Sequence, residues 1–138
     1  MLAIVDSGGA NIASVRFALE RLGVQSELTA DPAVIRAAER VILPGVGSAA
    51  EGMKRLRAKG LVECVRGLKQ PVLGVCLGMQ LLFESSEEDG GVETLGVIPG
   101  KVALLPAAPG ITRCSAVSSR SPRSRSPRCS SAHGSGAS

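Results

Sequence analysis

The sequence predicts an α/β domain of the doubly wound type, built on a mainly parallel sheet. Three observations carry that expectation. Short aliphatic runs alternate with segments of helical periodicity from Leu2 to Phe83. Each run ends in turn-forming residues, as at Asp6-Ser7-Gly8-Gly9 and Pro44-Gly45-Val46-Gly47. The third is Pro71-Val72-Leu73-Gly74-Val75-Cys76-Leu77-Gly78, a short apolar strand that turns sharply at a thiol and passes into a helical stretch.

Residues 2–5 form the first apolar run. Asn11 is suited to cap a helix whose apolar positions Ile12, Val15, Leu19 and Leu22 recur at helical spacing, with Gly23 as its stop. Residues 25–28 suggest a weak second strand. Asp31-Pro32 then offers a cap and a first-turn proline for a short helix through Ile35 and Ala38. A third strand is expected over residues 40–43, broken by Pro44-Gly45. Ser48 can cap a helix over residues 49–59, and Leu61, Val62, Val65 and Leu68 mark another. Residues 96–105 look like later strand or hairpin material. In such sheets ligands bind beyond the carboxyl ends of the strands, which groups residues 6–11, residues 44–48 and Cys76 at one edge.

Composition changes abruptly near residue 110. All twelve acidic residues precede it, against eleven of the sixteen basic ones, so the body carries a net charge of −1. The remaining 28 or so residues hold five arginines, no acid, and mostly Ser, Pro, Ala and Gly. The overall charge of +4 is therefore a property of the tail and implies no nucleic-acid surface on the body. The expected division is a domain over residues 1–109 and a disordered tail over residues 110–138. The tail has the composition of a GC-rich gene read out of frame. A bland disordered tail and an Arg-Ser segment that binds RNA through salt-sensitive phosphate contacts are the alternatives. The four cysteines, Cys64, Cys76, Cys114 and Cys129, have no paired spacing, and the one histidine is His133. Neither a metal cluster, a signal peptide nor a membrane-spanning run is expected, and a cytoplasmic setting is.

Gly74-x-Cys76-x-Gly78 has the small residues that a nucleophile elbow needs, because side chains two before and two after the nucleophile would collide. A thiol there also sits at a helix N-terminus, where free N–H groups favour thiolate. A buried cysteine beside an ordinary tight turn is the alternative. Acyl transfer through a thiolate needs backbone N–H donors aimed at a developing oxyanion. The glycine-rich loop at residues 44–47 and the amide of Leu77, next after the thiol, are candidates; alone, that loop is equally a plain strand-to-helix turn.

Three segments resemble the class I, triad-type glutamine amidotransferases, and among them the glutaminase subunits of imidazole glycerol phosphate synthase. These are residues 4–11, the loop Leu43-Pro44-Gly45-Val46-Gly47-Ser48, and Gly74-Val75-Cys76-Leu77-Gly78-Met79-Gln80-Leu81-Leu82-Phe83-Glu84 with Ser85-Ser86-Glu87-Glu88 after it. The resemblance covers about residues 1–106. It implies that Cys76 attacks the side-chain amide of L-glutamine, releasing ammonia and leaving a glutamyl thioester for water to hydrolyse. Val46 and Leu77 would supply the oxyanion-hole N–H groups after a peptide rearrangement in the loop. Gly47, Gln80 and Glu88 match positions that hold the substrate glutamine, although Glu88 in an acidic run suits a solvated loop and Gln80 an exposed helix position. The implied partner is a (β/α)₈ cyclase subunit that takes the ammonia for histidine biosynthesis, with no cofactor, nucleic acid or membrane involved.

Two departures stand out. Ser7 and Ala10 replace a usual tyrosine and glycine, which is expected to loosen the first loop. The family's late His-Pro-Glu segment, which supplies the general base and its orienter, has no counterpart here, since His133 is followed by Gly-Ser. An incomplete domain is therefore expected, either inactive and retained only for docking on the cyclase, or restored by another reading frame.

Overall fold

A computed structural model describes residues 1–8, 12–106, 109–110 and 115–118. Four parallel strands make the central sheet: β1 (Leu2–Val5), β2 (Ser26–Thr29), β3 (Arg40–Gly45) and β4 (Val72–Cys76), in the order β2-β1-β3-β4. Between them run α1 (Ile12–Arg21), α2 (Pro32–Ala37), α3 (Ala49–Ala58) and α4 (Val62–Arg66), and α5 (Leu77–Leu81) follows β4 at once. The doubly wound α/β expectation agrees with this topology.

Alternation along the strands divides the sheet into two unequal faces. Ala3, Val5, Val41 and Leu43 point into a core closed by Ile35 of α2, Met53 and Leu56 of α3, Leu61, Cys64 and Val65 around α4, and Leu77 and Leu81 of α5. Ile4 and Ile42 lie on the opposite face and are buried as well. There, however, β4 leaves Leu73 60% exposed, and α1 buries none of its residues. The apolar stripe of α1 thus faces the sheet across a hollow of about 430 Å³ lined by Val15, Leu19, Ile42, Leu73 and Val75.

A second, smaller sheet follows, in the order β6-β5-β7-β8, from β5 (Ser85–Ser86), β6 (Val92–Glu93), β7 (Lys101–Leu104) and β8 (Ser115–Ser118). It is fastened to the body by backbone bonds from Leu95 to Leu81 (2.8 Å) and from Ile98 to Leu82 (2.8 Å). Arg66 of α4 adds donors to the carbonyls of Leu95 (2.9 Å) and Thr94 (3.3 Å).

Three expectations need correction. β3 does not stop at Leu43 but continues through Pro44 to Gly45. Beyond Ile42 it pairs only with β4, so the missing N–H of Pro44 interrupts no ladder with β1. The helical stretch expected over residues 77–83 begins at Leu77 but stops at Leu81. Within the segment expected to be disordered, Ser115–Ser118 forms a strand, because the antiparallel pairing satisfies the open edge of β7. The cap at Asn11, the residues Cys114, Cys129 and His133, and most of the tail lie outside the described residues.

Candidate functional site

The strand order reverses between β1 and β3, so the loops after these strands diverge to opposite faces and leave a crevice at their carboxyl ends. Residues 6–8, residues 46–48 and Cys76 all lie along this edge, because Gly45 is directly opposite Cys76 in the β3–β4 ladder. Val46 and Leu77 are the residues that follow this last ladder pair.

Cys76 has φ +56° and ψ −121°, a left-handed conformation unusual for a residue with a side chain. It is exposed, and the first amides of α5, starting at Leu77, have no intrahelical acceptor. Gly74 and Gly78 make this turn possible. A Cβ on Gly78 would collide with the carbonyl of Leu43, and one on Gly74 with the backbone of Met79. A Cβ on Gly45 would lie 2.8 Å from the amide nitrogen of Gly78. The three glycines let α5 press directly onto β3 and β4, and the expected collisions are thus with neighbouring backbone. Cys64 is a contrasting thiol: buried in the core, it is held above its ordinary pKa by desolvation, partly offset by Arg36.

The loop after β3 is held from two sides. Ser7 is buried, and its hydroxyl donates to the Pro44 carbonyl at 3.2 Å. Arg55 of α3 donates from Nη1 to the Val46 carbonyl at 3.3 Å. The expected loosening by Ser7 is therefore corrected: its short hydroxyl ties the ends of β1 and β3 together. Lys59 adds a bond to the Asp6 carbonyl (2.9 Å) and an ion pair with its carboxylate (3.2 Å). Gly47 is exposed with φ +95°, a conformation suited to glycine.

Glu88 comes to the same edge from the second sheet. Its carboxylate accepts from the Ala49 amide at 3.2 Å, in the first turn of α3, where Ser48 also accepts from Glu51. Glu88 is half-buried there. Gln80 lies one turn beyond Cys76, half-buried, and its Oε1 is buried without a hydrogen-bond partner among the described residues. The structure thus brings Val46, Gly47, Cys76, Leu77 and Glu88 to one edge and places Gln80 on the helix that starts there. Ser7 and Arg55 were not candidates in the sequence. Only the spacing of Glu51 and Arg55, four apart on a helix, hints at an ordered guanidinium. Among the described residues no group of three His, Cys, Asp or Glu could hold a metal ion, and no helix is long and apolar enough to cross a membrane.

Comparison with known proteins gives concordant results. The family described as glutamine amidotransferase class-I matches residues 3–119. The "Imidazole glycerol phosphate synthase subunit HisH" of Xanthomonas axonopodis pv. citri (strain 306) is 60% identical over 110 residues, which are 80% of this chain and 54% of that protein. The protein of the same name from Xylella fastidiosa (strain Temecula1 / ATCC 700964) is 56% identical over the same shares. The chain spans about half the length of the curated relatives it matches. A solved structure described as "Crystal structure of glutamine amidotransferase" superposes with a TM-score of 0.63 at 22% identity, over 74% of this chain and 56% of that one, which shows the shared fold.

Proposed function

The chain belongs to the class I glutamine amidotransferase family, and from that premise we propose that it is a glutamine-hydrolysing subunit of imidazole glycerol phosphate synthase. The observation that carries the proposal is Cys76, exposed on a strained strand–turn–helix elbow beside the Pro44–Ser48 loop. Relatives bearing that name at 56–60% identity support it.

In this reading the Cys76 sulfur adds to the side-chain amide carbon of glutamine. The carbonyl oxygen takes up the electron pair, and the N–H groups of Val46 and Leu77 stabilise it. Collapse breaks the C–N bond, and the nitrogen leaves as ammonia with the proton that came from the thiol. Water then cleaves the thioester to glutamate and restores the thiol. Gly47, Gln80 and Glu88 hold the substrate. The ammonia passes to a cyclase subunit of (β/α)₈ type for histidine biosynthesis, in the cytoplasm, and no cofactor takes part.

None of the described residues is a histidine, so none of them carries the proton between thiol and leaving nitrogen by the family's route. A second reading is a module that docks on the cyclase without hydrolysing glutamine. Glutaminase activity of the full chain, measured with the cyclase subunit present, separates the two. Turnover abolished by Cys76→Ala supports the first; a stable complex with no turnover supports the second. Equal turnover in Cys76→Ala, or neither complex nor turnover, overturns both.

A further inference from the structure

We propose that Arg55 is a positioning residue for the oxyanion loop, holding the Val46–Gly47 peptide so that the Val46 N–H keeps its aim. The inference rests on the assignment of Val46 as an oxyanion donor. It follows from where the loop is anchored. A peptide group moves as a rigid plane. Ser7 holds the Pro44–Gly45 plane by its carbonyl, and Arg55 holds the Val46–Gly47 plane by its carbonyl. The plane between them carries the Val46 N–H. With both flanking planes anchored and Gly45 paired with Cys76 in the β3–β4 ladder, the direction of the Val46 N–H is set by these anchors.

The guanidinium is itself fixed. Its Nε pairs with Glu51 at 3.4 Å on the same helix, and its stem lies with that of Lys59 beside Gly8, about where a Cβ on that glycine would make ordinary contact at 3.8 Å. Arg55 thus donates to the loop after β3 while its stem lies near Gly8 of the loop after β1. Without it, the segment from Val46 to Gly47 would have one anchor fewer next to a glycine at positive φ. Misaim of a donor costs transition-state stabilisation and leaves ground-state binding nearly intact.

The test uses the full chain and a glutamine-shaped chloromethyl ketone, which alkylates the Cys76 sulfur as chloride leaves and a carbon–sulfur bond forms. Arg55→Met is expected to lower the saturating alkylation rate about tenfold, with the half-saturating concentration changed by less than about twofold. Iodoacetamide, which needs no oxyanion hole, should label both proteins alike. Arg55→Lys, which keeps one charged donor, should recover part of the rate, and the amide signals of Val46 and Gly47 should shift in Arg55→Met. A wild-type alkylation rate in folded Arg55→Met, with those amides unmoved, would overturn the proposal. If the wild type shows no saturable alkylation, the glutamine-site assignment fails instead, and the amide signals still decide whether Arg55 holds the loop.

Discussion

At Gly78 the backbone of β3 leaves no room for a side chain, since an added Cβ would collide with the Leu43 carbonyl. Gly60 makes a useful contrast: it has φ +65° and open space around it. Gly78→Ala should therefore destabilise the fold by about 3 kcal/mol or more through overpacking of α5 on the sheet. Gly60→Ala should cost only about 1 kcal/mol, for the left-handed backbone alone. Urea midpoints of the two variants check the difference; equal losses would show that α5 does not press on β3. The elbow was legible in the sequence because Gly-x-Cys-x-Gly after an apolar run is a local pattern with a local cause. Ser7 and Arg55 were not, because their partners are 37 and 9 residues away and depend on how strands align.

Among the elements, α3 is the one that connects the site to both sheets. Ser48 and Glu88 both accept from its first-turn amides, one from the preceding residue and one from the second sheet. Ser48→Ala should cost about 1 kcal/mol in a denaturant titration, and a loss near zero would mean that Glu88 alone suffices as cap. The second sheet has its own signature. Glu87 accepts from the Lys101 side chain and the Leu104 amide, and the first of these contacts does most to hold its carboxyl below the ordinary value. A folded-state pKa below the unfolded one adds stability above the unfolded value, and that stability is lost as pH falls through the folded value. Wild-type stability should accordingly decline from about pH 4.5 downward more steeply than that of Glu87→Gln. Parallel pH profiles would remove Glu87 as a contributor. Helix spacing made α1 to α4 legible in advance, since caps such as Asp31 and Ser48 signal locally. The sequence did not reveal that the stripe of α1 stays half-buried, because periodicity shows which face is apolar and not what covers it.

For the molecule as a whole, the switch point between β1 and β3 decides where chemistry can occur, and Cys76 stands at that edge opposite Gly45. The parallel sheet and the loops gathered at its carboxyl edge were both legible from alternating strands and helices, as a consequence of right-handed crossovers. The β3–β4 register, which sets Gly45 opposite Cys76, was not, because strand pairing is a long-range outcome. The claim that this edge is a glutamine site with Cys76 as its nucleophile is tested most directly by mapping the cysteines after alkylation with the glutamine-shaped chloromethyl ketone. Modification is expected at Cys76 ahead of Cys64, Cys114 and Cys129, slowed by added L-glutamine and lost in Cys76→Ala. Labelling of Cys76 at a rate that glutamine does not change, or no preference for it over the other three, would contradict a glutamine site at Cys76.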